Sequence, residues 1–191
     1  MFVIIFGILI LVFILLALWL VFTYNSLISV EKRVENAWAQ IDVQLKRRAD
    51  LIPNLIETVK GYAKFEKKVL TDITNARTAI LSAKTPKQAA KGENLLEGAL
   101  KSVFAVAEAY PTLKANENFK ALQEELSSTE NKVSFARQFY NDMVMNWNAM
   151  ILQFPTKIVA NMFGRNKSRE FFEAEPSERK NVKVDFSDLN K

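Results

Sequence analysis

Two long stretches of the chain carry apolar residues at alternating spacings of four and three. The first stretch is interrupted once, by Arg48, and comprises Val34, Trp38, Ile41, Leu45, Ile52, Leu55, Val59 and Tyr62. This alternation keeps side chains on one stripe of a helix, because 3.6 residues complete a turn and the mean step here is about 3.5. The residues between are mostly polar. The spacing therefore predicts a helix with one narrow apolar seam, typical of coiled coils and helical bundles.

The second stretch is interrupted once, by Thr129. Its members are Phe119, Leu122, Leu126, Val133, Ala136, Tyr140, Met143, Trp147, Met150 and Phe154. It predicts a helix about 36 residues and ~54 Å long. Asn116 can cap its start, and Pro155 stops it.

Two shorter amphipathic helices lie between the seams. We expect one over Phe65–Lys84, with Val69, Ile73, Ala76, Ile80 and Ala83 on its face. A break at Gly61 separates it from the first helix, or the two helices are fused there. We expect the other over Lys87–Ala109, between Pro86 and Tyr110-Pro111, burying Leu96, Leu100, Val103, Phe104 and Ala107. Two long and two short helices joined by short links predict an all-α fold, an up-and-down four-helix bundle.

Pro53 falls inside the first seam. A proline within a helix loses a hydrogen bond and costs about 3 kcal/mol, so a new helix capped by Asp50 is one interpretation. The apolar stripe nevertheless keeps its phase from Leu45 to Leu55, which favours a kinked but continuous helix.

The first 25 residues predict a membrane anchor. Phe2 to Phe22 are twenty-one residues without a charge or a strongly polar side chain, and as a helix they span roughly 31 Å, about the thickness of the bilayer core. A cleaved signal peptide would show a basic start and a small-residue cleavage site, and neither is present. Lys32 and Arg33 follow the span closely, which predicts a cytoplasmic domain and an outside N-terminus.

Three regions follow from this pattern: an anchor over 1–25, a helical bundle over 26–163 and a polar, partly disordered tail over 164–191. In the tail, Val182, Val184 and Phe186 alternate with polar residues. That alternation suits an edge strand or a docked extended segment, but we expect the tail to be loosely ordered.

Composition narrows the chemistry. The chain has no cysteine and no histidine, so thiolate ligands, imidazole bases and the usual zinc ligands are missing. The net charge of +5 comes from interleaved acids and bases, which favours solvated helix faces over a nucleic-acid groove. We predict no catalytic, cofactor-binding or metal-ligating residue. A carboxylate site for Mg²⁺ or Ca²⁺ is the alternative, drawn from Asp42, Asp50, Glu57, Glu124, Glu125 and Asp142; we favour ion pairs for these residues.

Two basic groups invite a binding hypothesis. Lys46-Arg47-Arg48 suits phosphate or lipid headgroups, but we favour two solvated charges and one guanidinium on the seam. Arg48 stands on the seam, either paired with a carboxylate that fixes helix register or reaching out to solvent. Later, Ile158, Val159, Met162 and Phe163 precede Arg165, Lys167 and Arg169.

The segment from Pro155 to Arg169 has two interpretations. It is a contact element for headgroups or a partner, or it is a lid that plugs the end of the bundle. In both cases we expect replacement of its three basic residues by Gln to leave stability nearly unchanged.

Several runs together resemble the LemA family. They are the run Ala37–Leu55, Thr58–Ala63, Ala105–Phe119, Leu122–Leu126, Thr129–Asn131, Tyr140–Asp142 and Phe154-Pro155. One departure is Phe65-Glu66, where many relatives have His-Glu. The resemblance implies a single N-terminal span, a short outside N-terminus and a four-helix cytoplasmic bundle. It also implies links to membrane-protein quality control and to the membrane organelles of magnetosome-forming bacteria.

The function expected from these features is that of a scaffold or adaptor at the bacterial inner membrane. Its partners would be the membrane itself, through the span 2–22, and a protein or a second copy of the chain. A carboxylate-metal enzyme, or an accessory to quality control, is the alternative.

Overall fold

The computed structural model describes residues 1–60 and 67–173 of the chain. These residues form the helices α1 (Phe2–Lys60), α2 (Lys67–Leu81), α3 (Pro86–Glu108), α4 (Pro111–Lys114), α5 (Glu117–Met150) and α6 (Thr156–Met162). No strand occurs among them. The predicted all-α fold class is therefore confirmed for the described residues.

Helix α1 joins the predicted span and the first seam in one helix of 59 residues. It continues through Pro53, so the interpretation of a new helix capped by Asp50 is wrong. Its apolar part has a mean hydropathy of 3.3 and is not buried against other residues. Within the described residues, α1 is the helix that is long and apolar enough to cross a membrane.

The chain divides into two compact units, and the first comprises Met1–Leu51 and Ala121–Phe171. Here α1 and α5 run antiparallel. The rings of Trp38 and Tyr140 lie 5.8 Å apart, and those of Tyr24 and Phe163 lie 4.6 Å apart. The two predicted seams supply the core of this unit, including Ile41, Leu45, Leu126, Val133, Tyr140 and Trp147.

The end of α5 differs from the prediction. The helix ends at Met150, and Phe154 is 82% exposed although the spacing placed it on the seam. The backbone N–H groups of Leu152 and Gln153 both donate to the carbonyl of Ala149, which closes a turn. A residue before proline disfavours helical backbone, so the chain leaves the helical path ahead of Pro155.

The second unit comprises Ile52–Lys120 and Phe172–Lys191, described as far as Glu173 and without residues 61–66. In this unit, α2 packs against α3, and a short link joins the two helices. The hydroxyl of Thr85 accepts a hydrogen bond from the Gln88 N–H (3.2 Å), and the Gln88 side chain accepts one from the Lys84 N–H (2.9 Å). This reciprocal cap fixes the start of α3. Thr85 has the extended backbone that this cap needs. Helix α2 ends at Leu81, three residues before the predicted Lys84.

The rest of this unit follows the sequence closely. Leu96, Leu100, Val103 and Ala107 are buried on α3 as predicted, and Phe104 meets Phe119 edge-on with ring centroids 6.1 Å apart. The side-chain oxygen of Asn116 accepts from the Phe119 N–H (3.0 Å), which confirms the predicted cap of α5. The single turn α4, between Tyr110 and Asn116, was not predicted.

Several predictions lie outside the described residues. They concern Tyr62, the break at Gly61, the Phe65-Glu66 departure and the alternating Val182, Val184 and Phe186. The division into anchor, bundle and tail, and the assembly of the helices into a single four-helix bundle, also stay predictions.

Candidate functional site

A groove with a volume of about 610 Å³ lies between α1 and α5 in the first unit. Its lining is Asn36, Ala39, Gln40, Val43, Gln44, Lys132, Phe135, Ala136 and Phe139. Three large apolar side chains in it face solvent: Phe135 is 72% exposed, Val43 61% and Phe139 43%. Scattered apolar residues are ordinary on a surface, whereas a contiguous apolar set along a groove marks an interaction site.

The groove follows from residues that flank the seams. Phe135 and Phe139 are four apart on α5, and Ala39 and Val43 are four apart on α1, so each pair lies on one helix face. The small Ala39 and Ala136 leave the space that the larger side chains border. Lys132 is the one charged residue of the lining; this chemistry suits binding an apolar surface.

A second feature ties the chain after α6 to α1. The carboxylate of Glu31 accepts hydrogen bonds from the guanidinium groups of Arg165 and Arg169, the latter at 3.0 Å. The Glu31 side chain is only 13% exposed. The Arg165 guanidinium also lies 5.9 Å from the ring centroid of Tyr24, within cation–π distance.

Residues 163–173, which we call the return segment, follow α6 without regular secondary structure and are hydrogen-bonded to α5. The Tyr140 hydroxyl donates to the carbonyl of Glu170 (2.8 Å), and the Trp147 indole N–H donates to that of Lys167 (2.9 Å). Asn148 exchanges two hydrogen bonds with the Arg169 backbone, at 2.8 and 3.1 Å. This part of the expected tail is therefore hydrogen-bonded to α5 between Lys167 and Glu170.

Burial also affects Tyr140 electrostatically. Desolvation raises the pKa of its hydroxyl above the ordinary value of 10.0; the nearby Arg169 lowers it and Glu170 raises it. The hydroxyl therefore stays protonated at neutral pH and can keep donating to the Glu170 carbonyl.

The structure changes the interpretation of the later basic group. Arg165 and Arg169 are engaged by Glu31, whereas the Lys167 side chain is exposed. This geometry argues against the expectation that replacing all three leaves stability nearly unchanged, because Arg165 and Arg169 bind Glu31 of α1.

Two residues of the run Lys46-Arg47-Arg48 also form ion pairs. Arg47 forms an ion pair with Glu125 at 2.6 Å, and Arg48 forms one with Glu130. Arg48 is buried, whereas the Glu130 side chain is 40% exposed. Of the two interpretations of Arg48, the structure favours the pair with a carboxylate across the helices. Both guanidinium groups are therefore paired with carboxylates of α5.

The carboxylates considered for a metal site are spread along the helices. Glu125 pairs with Arg47, and Glu57 pairs with Lys60 at 3.0 Å. Among the described residues, no three acidic side chains come close enough together to hold a metal ion. The arrangement that the carboxylate-metal alternative requires is therefore not found in residues 1–60 and 67–173.

Sequence reasoning missed the groove and the role of Glu31. Phe135, Phe139 and Val43 lie beside the seams, and their size at surface positions was the available signal. Glu31 carried no signal, because its partners lie more than 130 residues away.

Comparison with known proteins now gives the context of this fold. The family model described as "LemA family" matches residues 37–186. Protein LemA of Metamycoplasma hominis is 28% identical over 169 residues, covering 86% of this chain and 74% of the relative. Magnetosome protein MamQ 2 of Paramagnetospirillum magneticum is 22% identical, and magnetosome protein MamQ of Magnetospirillum gryphiswaldense is 21% identical; each match covers 83% of this chain and 67% of the relative. The family match extends over most of the chain and confirms the resemblance, so this protein belongs to the LemA family.

Proposed function

We propose that this protein is a membrane-anchored adaptor that docks other proteins on the cytoplasmic face of a bacterial inner membrane. The apolar part of α1 supports the anchor by its length and composition. Two relatives are named magnetosome proteins, which fits a role at a membrane. The groove between α1 and α5 is the observation that carries the docking role.

The groove suits an amphipathic helix of a partner protein. Two antiparallel helices present a channel into which a third helix can lay its apolar face, with anchors three and four residues apart. Phe135 and Phe139 offer a matching spacing. Lys132 on the lining favours an acidic residue on that partner helix, because opposite charges guide association. The proposed occupant is thus an apolar helix face that carries an acid beside it.

Site-specific photo-crosslinking of the full chain in native membranes tests the docking role. A photoreactive residue at Gln40, on the groove, should give a discrete protein adduct. The change Phe135→Ser with Phe139→Ser should abolish the adduct with only a small loss of melting temperature, since the two rings are 72% and 43% exposed. Lys132→Glu should weaken it in a manner that depends on salt.

Met145 provides the matched control. It lies on the same helix, is 60% exposed and is not part of the groove lining. Met145→Ser should leave the Gln40 adduct intact. An adduct that survives the serine pair, or that disappears equally with Met145→Ser, contradicts docking in the groove.

The cytoplasmic orientation rests on Lys32 and Arg33 just after the span. Because the chain has no cysteine, Ser127→Cys creates a single thiol on α5. This thiol should resist a membrane-impermeant reagent in intact cells and react after permeabilisation. Labelling in intact cells would show that the domain lies outside the cytoplasm and would contradict this orientation.

A further inference from the structure

Helix α6 leaves a set of apolar side chains uncovered. Ile158 and Met162, one turn apart, are each more than half exposed, and Phe163 and Phe154 are also exposed. On the opposite side of the same helix, Val159 and Ala160 are fully buried in the protein. The helix therefore carries apolar residues on two sides, one packed in the protein and one exposed. We call the exposed set, Phe154, Ile158, Met162 and Phe163, the foot.

Two contacts, one made by the foot and one by the residues after it, define where the foot lies along the axis of α1. Phe163 packs on the ring of Tyr24 with centroids 4.6 Å apart, and Arg165 is bound to Glu31. Tyr24 follows the last apolar residue of the span, Phe22, by two positions, which is about 3 Å along a helix. Glu31 follows Phe22 by nine positions, about 14 Å. The foot is thus held beside the point where α1 leaves the apolar stretch.

That height corresponds to the membrane interface. The headgroup regions add about 5–8 Å on each side of the hydrocarbon core. When 2–22 cross the core, Tyr24 lies in this layer, and Phe163 at the end of α6 packs on its ring. Exposed apolar side chains at this depth gain by entering the boundary between headgroups and acyl chains, as interfacial helices do.

We propose that the foot inserts into the lipid interface and seats the first unit on the membrane surface. Lys157, exposed on α6, adds attraction to anionic headgroups. This proposal rests on the membrane anchor of the proposed function and does not depend on the groove. It differs from a protein-docking role for α6, in which a partner or a second copy would cover the same residues.

Quenching by lipid-borne spin labels tests the foot in the full chain. The protein carries no cysteine, so Ile158→Cys and Met162→Cys each provide one thiol for a fluorophore. The proteins are reconstituted into vesicles of phosphatidylcholine and phosphatidylglycerol that carry a quencher near the headgroup. We expect quenching at both positions to exceed several-fold that at Val43→Cys. Val43 is equally apolar and exposed, but lies about 31 Å beyond Phe22 along α1.

A fourth label tests the membrane anchor independently of the foot. Leu11→Cys lies in the middle of the predicted span and should be quenched by a label deep in the acyl chains. Quenching at position 11 without quenching at 158 and 162 would overturn the foot. Absence of quenching at position 11 would overturn the anchor and, with it, the foot. Neither result bears on crosslinking through the groove.

Discussion

Arg48 of α1 forms an ion pair with Glu130 of α5, next to the place where each apolar seam is interrupted. Arg48 itself is the interruption of the first seam, and Thr129, the neighbour of Glu130, is that of the second. Both Arg48 and Thr129 are buried. The Thr129 hydroxyl donates to the carbonyl of Leu126 at 2.9 Å, one turn back in its own helix. The Arg48–Glu130 ion pair therefore places the two departures from the apolar pattern at the same level of the helix pair.

This ion pair predicts unequal costs for its two partners. Glu130→Ala should destabilise the protein by about 1–3 kcal/mol, since it takes the carboxylate away from a buried guanidinium. Arg48→Met should cost less, because methionine fills an apolar position and the partly exposed Glu130 can be hydrated. Chemical denaturation of the full chain in detergent, followed by circular dichroism, measures both. A larger loss for Arg48→Met than for Glu130→Ala would contradict the role assigned to the pair.

The two glycines of α3 predict opposite effects of the same substitution. A Cβ at Gly92 would lie 2.9 Å from the Ile80 backbone nitrogen and 3.1 Å from the Ala79 carbonyl carbon. Gly92→Ala should therefore destabilise the α2–α3 contact by about 1–3 kcal/mol despite the better helix propensity of alanine. A Cβ at Gly98 meets nothing within 4 Å, so Gly98→Ala should stabilise by about 0.5–1 kcal/mol. Thermal unfolding of the two variants should shift in opposite directions, and equal shifts would exclude the close approach.

The periodic features were predictable because they are local. The seams of α1 and α5, the cap at Asn116 and the burial of Leu96 and Leu100 depend on residues within a few turns of one another. The exposure of Phe154 was not predicted, because the spacing continues past the place where a turn ends the helix. Helix ends depend on backbone partners, which an apolar period does not encode.

The candidate surfaces were harder to predict because they depend on register between distant segments. The pattern places Phe135 at the surface, but not beside Val43 of another helix. The interruption at Arg48 was visible in the sequence, whereas its partner Glu130 was not. The return segment is bound through backbone carbonyls of Lys167 and Glu170, and any residue type supplies a carbonyl.

The hydroxyl of Tyr140 predicts a pH-dependent contribution to stability. Tyr140→Phe removes the hydrogen bond to the Glu170 carbonyl and should cost about 0.5–1.5 kcal/mol near neutral pH. Because burial raises the pKa of Tyr140 in the folded state, the hydroxyl stabilises the protein below its unfolded pKa, and this contribution is lost as the pH rises through the folded pKa. The difference between parent and variant should thus shrink at strongly alkaline pH. Urea unfolding of both proteins at neutral and alkaline pH measures it, and a constant difference would refute the prediction.

The carboxylate of Glu31 predicts how firmly the return segment is held. Glu31→Gln weakens the interaction with both Arg165 and Arg169 and should cost about 1–2 kcal/mol, a moderate value because both arginines can be rehydrated. Backbone amides of the return segment should then exchange hydrogen faster, while those of α3 should be unaffected. Hydrogen–deuterium exchange read by mass spectrometry measures this difference.

The basic residues provide the complementary test. Replacing Arg165, Lys167 and Arg169 together by Gln should lower stability by about as much as Glu31→Gln, and combining the two changes should add little, since they remove the same contacts. Lys167→Gln alone is the matched control; its side chain is exposed, so its effect should stay within about 0.5 kcal/mol. If the triple variant unfolds like the parent protein, the contacts of Glu31 do not stabilise the return segment. The segment would then be held by its other contacts, including the hydrogen bonds to Tyr140, Trp147 and Asn148.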